Sequence, residues 1–271
     1  MKEPTQFDLF ADLPPAPRHE SSGAMRSIVA EELSDAKLIA ALPDASLDDA
    51  DALAAEAGRR RLGNAVGALA ALCRRFAGFG LDRRVPEQIA ALKALSAIGG
   101  PEAARAVHRM ILSQIVQGPN LATAVAAAAA LGVKLTPDVA LPLLRHPDSS
   151  VRAAACGCVR AGGEVVPALI ELLTDGDDEI AIAAACALGR MGRLEARNLL
   201  KRRLIAKPST GVIDALAGVA DEEAIVLLAR LGRKRPDLAH SILSALEEID
   251  HPTANVAASA LASWLSQHNR G

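Results

Sequence analysis

The sequence predicts an all-α chain, a right-handed α-solenoid of about six helix pairs preceded by an atypical N-terminal helical cap. Three observations predict it. Within residues 141–192 one pattern is written twice: Leu143, Leu144, Asp148, Val151, Arg152, Ala155, Cys156, Cys158, Val159 and Gly163 reappear 29 positions later as Leu172, Leu173, Asp177, Ile180, Ala181, Ala184, Ala185, Ala187, Leu188 and Gly192. A period of about 30 residues, apolar at helical spacing and broken by Pro, Gly and Asp, belongs to helix pairs that bury their apolar faces only against the pairs before and after. The Ala187-Leu188 step then has counterparts at Ala94-Leu95, Ala130-Leu131, Cys158-Val159, Ala215-Leu216 and Ala245-Leu246, spaced by 36, 28, 29, 28 and 30 residues. Finally, 51% of the chain is hydrophobic but only 2% aromatic, with no Tyr, so the core must be built of Ala, Leu, Val and Ile added in many modest contacts.

Three regions follow. Residues 1–23 hold Pro4, Pro14, Pro15 and Pro17 among charged and polar residues, a composition expected of a disordered tail. Within it, Gln6-Phe7-Asp8-Leu9-Phe10 places two of the chain's four Phe residues where no helix is available to bury them, as in a docking peptide. Residues 24–82 form the cap: one helix is predicted from Ala24 to Leu42, a weaker one over 44–57, and another along the stripe Val66, Leu69, Leu72, Cys73 and Phe76, ending at Gly78 and Gly80.

Residues 84–268 form the solenoid. Val85 to Ile98 closes one unit, and Glu102–Gln117 pairs with Leu121–Leu131. Then 137–144 pairs with 149–160, 165–173 with 178–190, 194–205 with 211–219, and 222–231 with 238–249, before a last helix over 253–267. Breakers fall between them at Gly118-Pro119, His146-Pro147, Gly162-Gly163, Lys207-Pro208, Arg235-Pro236 and His251-Pro252. Trp264 is expected to cover the open end of the stack.

The run Asp177-Asp178-Glu179-Ile180, Ala184-Ala185, Ala187-Leu188-Gly189 and Met191-Gly192 resembles the HEAT repeat, in its bacterial bilin-lyase-like form, over about residues 84–268. The resemblance implies the solenoid fold; the family's members include scaffolds, nucleic-acid binders and a few enzymes. The Arg that usually follows the Val is present at Arg152 but is Ala at Ala181. The tail pentapeptide in turn resembles the bacterial sliding-clamp-binding motif. That resemblance implies a polar subsite for Gln6, an apolar cleft for Leu9 and Phe10, and an outward-facing Asp8; Phe7 departs from the aliphatic residue usual there. The alternative is that Phe7, Leu9 and Phe10 fold back to cover an exposed face of the first repeat, as capping segments do.

Chemistry is not written in the sequence. With 30 basic and 32 acidic residues the net charge is −2, so nothing pulls the whole chain to nucleic acid or an anionic membrane. No apolar run reaches the ~18–20 residues that span a bilayer, and no signal-peptide order opens the chain, so no membrane partner and a cytoplasmic location are expected. The six His form no pair three or four apart. The iron-binding His-Glu dyads of HEAT-fold hydroxylases have a single counterpart, at His19-Glu20 in the tail. Cys73, Cys156, Cys158 and Cys186 lack metal-ligand spacing and read as buried apolar residues. No catalytic residue, metal or cofactor is therefore expected. One local feature is basic: Arg190, Arg193, Arg197, Lys201, Arg230 and Arg233 form a candidate phosphate-binding stripe, to be weighed against ordinary solubilising charge. The expected function is a non-catalytic scaffold, tethered by its tail to the bacterial DNA sliding clamp in replication or repair, holding an unknown protein on its solenoid, with DNA as a further candidate partner. Two alternatives are a protein adaptor unrelated to DNA and a bilin-lyase-like or nucleic-acid-modifying enzyme.

Overall fold

The computed structural model describes residues 29–268. The pentapeptide Gln6–Phe10 lies outside them. Fifteen α-helices occur among the described residues: α1 Asp35–Ala41, α2 Leu47–Arg59, α3 Val66–Arg75, α4 Pro86–Ile98, α5 Gly100–Leu112, α6 Leu121–Ala130, α7 Pro137–Leu144, α8 Ser149–Cys158, α9 Val166–Leu172, α10 Asp178–Arg190, α11 Arg197–Ala206, α12 Thr210–Ala217, α13 Glu222–Lys234, α14 Pro236–Glu248 and α15 Pro252–His268. The one extended contact among these residues is an isolated parallel bridge between Leu135 and Val159.

The chain is an α-solenoid of two helix layers. From α2 onwards each even-numbered helix packs on the next even one, α2 on α4, α4 on α6, and so on to α14, while odd-numbered helices cover them. Six pairs cross between the layers: α3 with α4, α5 with α6, α7 with α8, α9 with α10, α11 with α12, and α13 with α14. The even layer is continuous and close-packed. The odd layer is tight at its ends, where α3 meets α5 and α13 meets α15, and looser between them. The even layer is therefore the inside of the curve, which in solenoids is the extended binding face.

One motif repeats down the even layer. Buried positions recur as two adjacent residues, a gap of one, and two more: Ala91, Leu92, Ala94 and Leu95 in α4; Ala124, Val125, Ala127 and Ala128 in α6; Ala155, Cys156, Cys158 and Val159 in and after α8; Ala184, Ala185, Ala187 and Leu188 in α10; Val212, Ile213, Ala215 and Leu216 in α12. This corrects the register read from sequence in α6. The buried step is Ala127-Ala128, one turn before Ala130-Leu131, of which Ala130 is exposed. The run Ala126 to Ala130 offers no contrast in side-chain size, so sequence alone does not show which turn faces inward.

Local chemistry sets the helix ends. Asp148 and Asp177, members of the repeated pattern, accept hydrogen bonds from the Ser150 and Glu179 amides and so cap α8 and α10; Asp221 does the same for α13 through Ala224. Proline opens α4, α7, α14 and α15, where its missing N–H costs nothing. Two expected helices are shorter than predicted. The helix expected over 24–42 is broken within its described part: a 3₁₀ turn at Ala30–Glu32 ends in extended backbone at Leu33 and Ser34 before α1 begins. Arg60 holds that break open, donating to the Ala30, Glu31 and Leu33 carbonyls and to Asp35. The helix expected over 102–117 stops at Leu112, because Gln114 turns into left-handed backbone at φ 51°.

Candidate functional site

Between α10 and α12 of the inner layer no side chain separates the backbones at Gly189 and Gly218. A Cβ at Gly189 would overlap the Ala215 carbonyl, and one at Gly218 would overlap the Gly189 carbonyl. This approach sets Arg190, the last residue of α10, beside Asp214 of α12 and across from Glu248 at the end of α14. Together with Ser244 they line a groove of 580 Å³ over a floor of Ala217, Gly218 and Ala245. On the other side of Arg190 a hollow of 220 Å³ continues along the layer, between Lys134, Cys156, Val159 and Met191. Four helices thus contribute to one furrow, α8, α10, α12 and α14.

Arg190, Asp214 and Glu248 are exposed to solvent along this furrow. None of Arg190, Asp214 and Glu248 makes a side-chain hydrogen bond or an ion pair within 4.0 Å among the described residues. Partial burial, reinforced by the neighbouring Glu248, pushes the Asp214 carboxyl above its ordinary range, and Arg190 only partly opposes this. Other charges in the fold are clasped, among them an arginine of the repeat. Arg152, the Arg of the repeat pattern, pairs with Asp175 at 3.1 Å and donates to the His146 and Pro147 carbonyls, tying α8 to the turn before α10.

The candidate basic residues do not form one face. Lys201 is buried, its ammonium bonded to Asp221 at 2.8 Å and Glu223 at 2.6 Å. Arg197 donates to the Val219 carbonyl at 2.6 Å and reaches Asp221. Both face inward at the joint between α11 and α13. Burial alone would lower the Lys201 pKa, but the two carboxylates outweigh it and raise the value. Arg193 pairs with Glu195 in the turn before α11. Arg190 belongs to the inner furrow, while Arg230 and Arg233 are exposed on α13.

The thiols are inert by environment. Burial pushes Cys73 and Cys156 up to about 12 and Cys158 to about 11, and Cys186 rises for the same reason. No group of three or more His, Cys, Asp or Glu that could hold a metal ion occurs among the described residues. No helix among them is long and apolar enough to cross a membrane.

Sequence reasoning missed the furrow. Asp214, Ser244 and Glu248 follow no motif and converge because α14 packs on α12, while Gly189 and Gly218 bring Arg190 of α10 alongside. Gly189 lies in the run Ala187-Leu188-Gly189, and that small residue beside the conserved-size step of the repeat was the available signal.

Comparison with known proteins gives a family match and a structural likeness. No curated protein sequence matches the chain. Among solved structures, Escherichia coli YibA is similar at 17% identity and a TM-score of 0.42, over 82% of this chain and 94% of that one. The family model for HEAT repeats matches residues 137–217, which span α7 to α12, so this central stretch of the solenoid is similar to HEAT repeats.

Proposed function

We propose that the chain is a non-catalytic HEAT-repeat scaffold that holds a partner protein in the furrow of its inner layer. The observation that carries this reading is the set of unpaired charges, Arg190, Asp214 and Glu248, along a groove floored by small residues. Arg190, Asp214 and Glu248 are exposed, and a surface that keeps both signs accessible and close together is complementary to a polar segment carrying both. HEAT solenoids commonly serve as helical scaffolds for other proteins. The test is capture of partners from a lysate by the wild-type chain and by the double variant Arg190→Glu, Asp214→Lys. A protein held by the first and lost from the second, with unchanged thermal unfolding, is the expected result; identical captures would remove the furrow from the reading.

The same scaffold is proposed to be tethered through Gln6, Phe7, Asp8, Leu9 and Phe10 to the bacterial DNA sliding clamp, and so to act in replication or repair. The support is the pentapeptide's order of one amide followed by large apolar side chains. A single motif of this size gives affinity of about −8 kcal/mol, in the ~micromolar range, enough to recruit without locking. Clamp pull-down by the wild-type chain, abolished by changing Gln6, Leu9 and Phe10 together to Ala, is the expected outcome. Equal or absent capture by both removes the tether. Within the candidate stripe, a DNA contact would fall to Arg230 and Arg233, since Arg197 and Lys201 are engaged inside the protein.

A further inference from the structure

A second groove, of 520 Å³, opens on the outer layer between α5 and α7. Its walls are apolar: Leu112 and Val116 on one side, Leu121 at the base, Val139 and Pro142 on the other. Leu112 is half exposed, and Leu81, at 64% exposure, lies beside the rim where the Leu81 backbone meets Gly118. The groove exists because the α5–α6 connection is long. Residues 113–117 intervene before the next turn begins, and Gln114 and Gly118 both adopt left-handed backbone there, a strain that for Gln114 must be held by its surroundings. Across the groove Pro142 sits inside α7 and has no N–H for the Asp138 carbonyl, which is left without its helical donor at the lining. The site thus offers an apolar trough with Asp138 at its lining and with Gln114 and Gln117, whose amides meet where Gln117 Nε2 donates to Gln114 Oε1 at 3.4 Å.

The chain carries its own candidate occupant. Phe7, Leu9 and Phe10 precede the described residues, and the chain enters the fold at Val29, beside the Ala30–Leu33 segment that Arg60 fastens. From there α2 lies on α4 and α4 on α6, whose first residue, Leu121, is the groove's base. Two helix-to-helix steps cover about 20 Å. The 19 residues from Phe10 to Val29 can span up to about 60 Å, so reach is not limiting. A tether of this length gives a local concentration on the order of millimolar, so even weak docking is populated.

We infer that the groove between α5 and α7 is an intramolecular docking site for residues 6–10. Docked there, Phe7, Leu9 and Phe10 are withheld from any other protein that reads the same residues, so the groove acts as a latch on the tail. This inference stands without the clamp reading, because it requires only that the apolar residues have a pocket on their own chain.

The experiment places a photo-crosslinking benzoylphenylalanine at position 7, and separately at position 10, in the full-length chain with no partner present. Mass spectrometry then maps the crosslinked peptides. The expected result from at least one position is intramolecular crosslinks to residues 111–143, falling at least tenfold in Leu112→Glu, a change at a half-exposed position that leaves thermal unfolding unaltered. Crosslinks that land elsewhere, that join only two separate chains, that persist in Leu112→Glu, or that fail to form from both positions would overturn it. Clamp capture is measured apart from this, so either reading can fail alone.

Discussion

The two ends of the solenoid are joined by different chemistry. From α7 to α14 the units are held by devices that recur: an Asp cap at Asp148 and again at Asp177, close backbone approach at Gly189 and Gly218, and clasps such as Arg152 with Asp175 and Arg203 with Glu179. From α2 to α6 the joints are individual. Gln88, fully buried, donates to the Cys73, Phe76 and Ile115 carbonyls, and Asn120, also fully buried, donates to Val85 and to Gln88 Oε1 while accepting from the Val85 amide. Glu56 and Arg60 make a second such knot, with Arg60 reaching back across 25 to 30 residues of sequence. A repeated surface can be glued by repeated small contacts. An irregular one needs buried polar side chains, each specific to its place and costly to lose.

The contrast can be broken first where the joint is individual. Replacing Gln88 with Met keeps the volume and removes every hydrogen bond, orphaning several buried groups at about 1–3 kcal/mol each, so a loss of about 3 kcal/mol or more is expected in urea unfolding. A loss under about 1 kcal/mol would show that the polar knot is dispensable. In the repeated half, Gly189→Ala forces a Cβ against the Ala215 carbonyl, and the expected cost is about 1–3 kcal/mol. Cap removal should be smaller and equal at equivalent places. Asp148→Ala and Asp177→Ala are each expected to cost about 1 kcal/mol, and a large difference between them would mean that the two units are not equivalent.

Acid separates the halves again. Hydrogen bonds from Arg59 and then Arg60 hold the Glu56 carboxyl down from 4.5 to about 2, so its contribution is complete above pH 4.5 and is lost as pH falls toward 2. Glu56→Gln should flatten the pH dependence of stability in that window and leave it unchanged above; a slope identical to wild type would contradict the assignment. Asp214 has the opposite sign. Its raised value means that ionisation costs stability as pH rises above the ordinary carboxylate range, so Asp214→Asn should leave stability equal or slightly higher while weakening capture of the furrow's partner. Lower stability in Asp214→Asn would make it a structural residue instead.

The same contrast explains what the sequence disclosed. Helix pairing from α5 onward was legible because Leu and Val alternate in size with Ala, and because Pro and Asp mark starts. It failed in α6, where five consecutive Ala residues hide the buried turn. Gln88 and Asn120 were illegible, since each acts on backbone carbonyls or on a partner 32 residues away, with no spacing to betray it. Lys201 read as surface charge because Arg193 and Arg197 precede it at intervals of four, yet Asp221 and Glu223 approach from the next unit and take it inward. Asp214, Ser244 and Glu248 of the furrow were invisible for the same reason, since they meet only through tertiary packing.

Hydrogen exchange measured helix by helix on Gly189→Ala tests most directly that each unit is held by its neighbours. If it is, amides of α8 to α14 lose protection most at α10 and α12 and progressively less with distance, while α2 to α4 keep theirs. Uniform loss of protection from α2 to α15 would contradict it, and would mean that the protein unfolds as a single closed core.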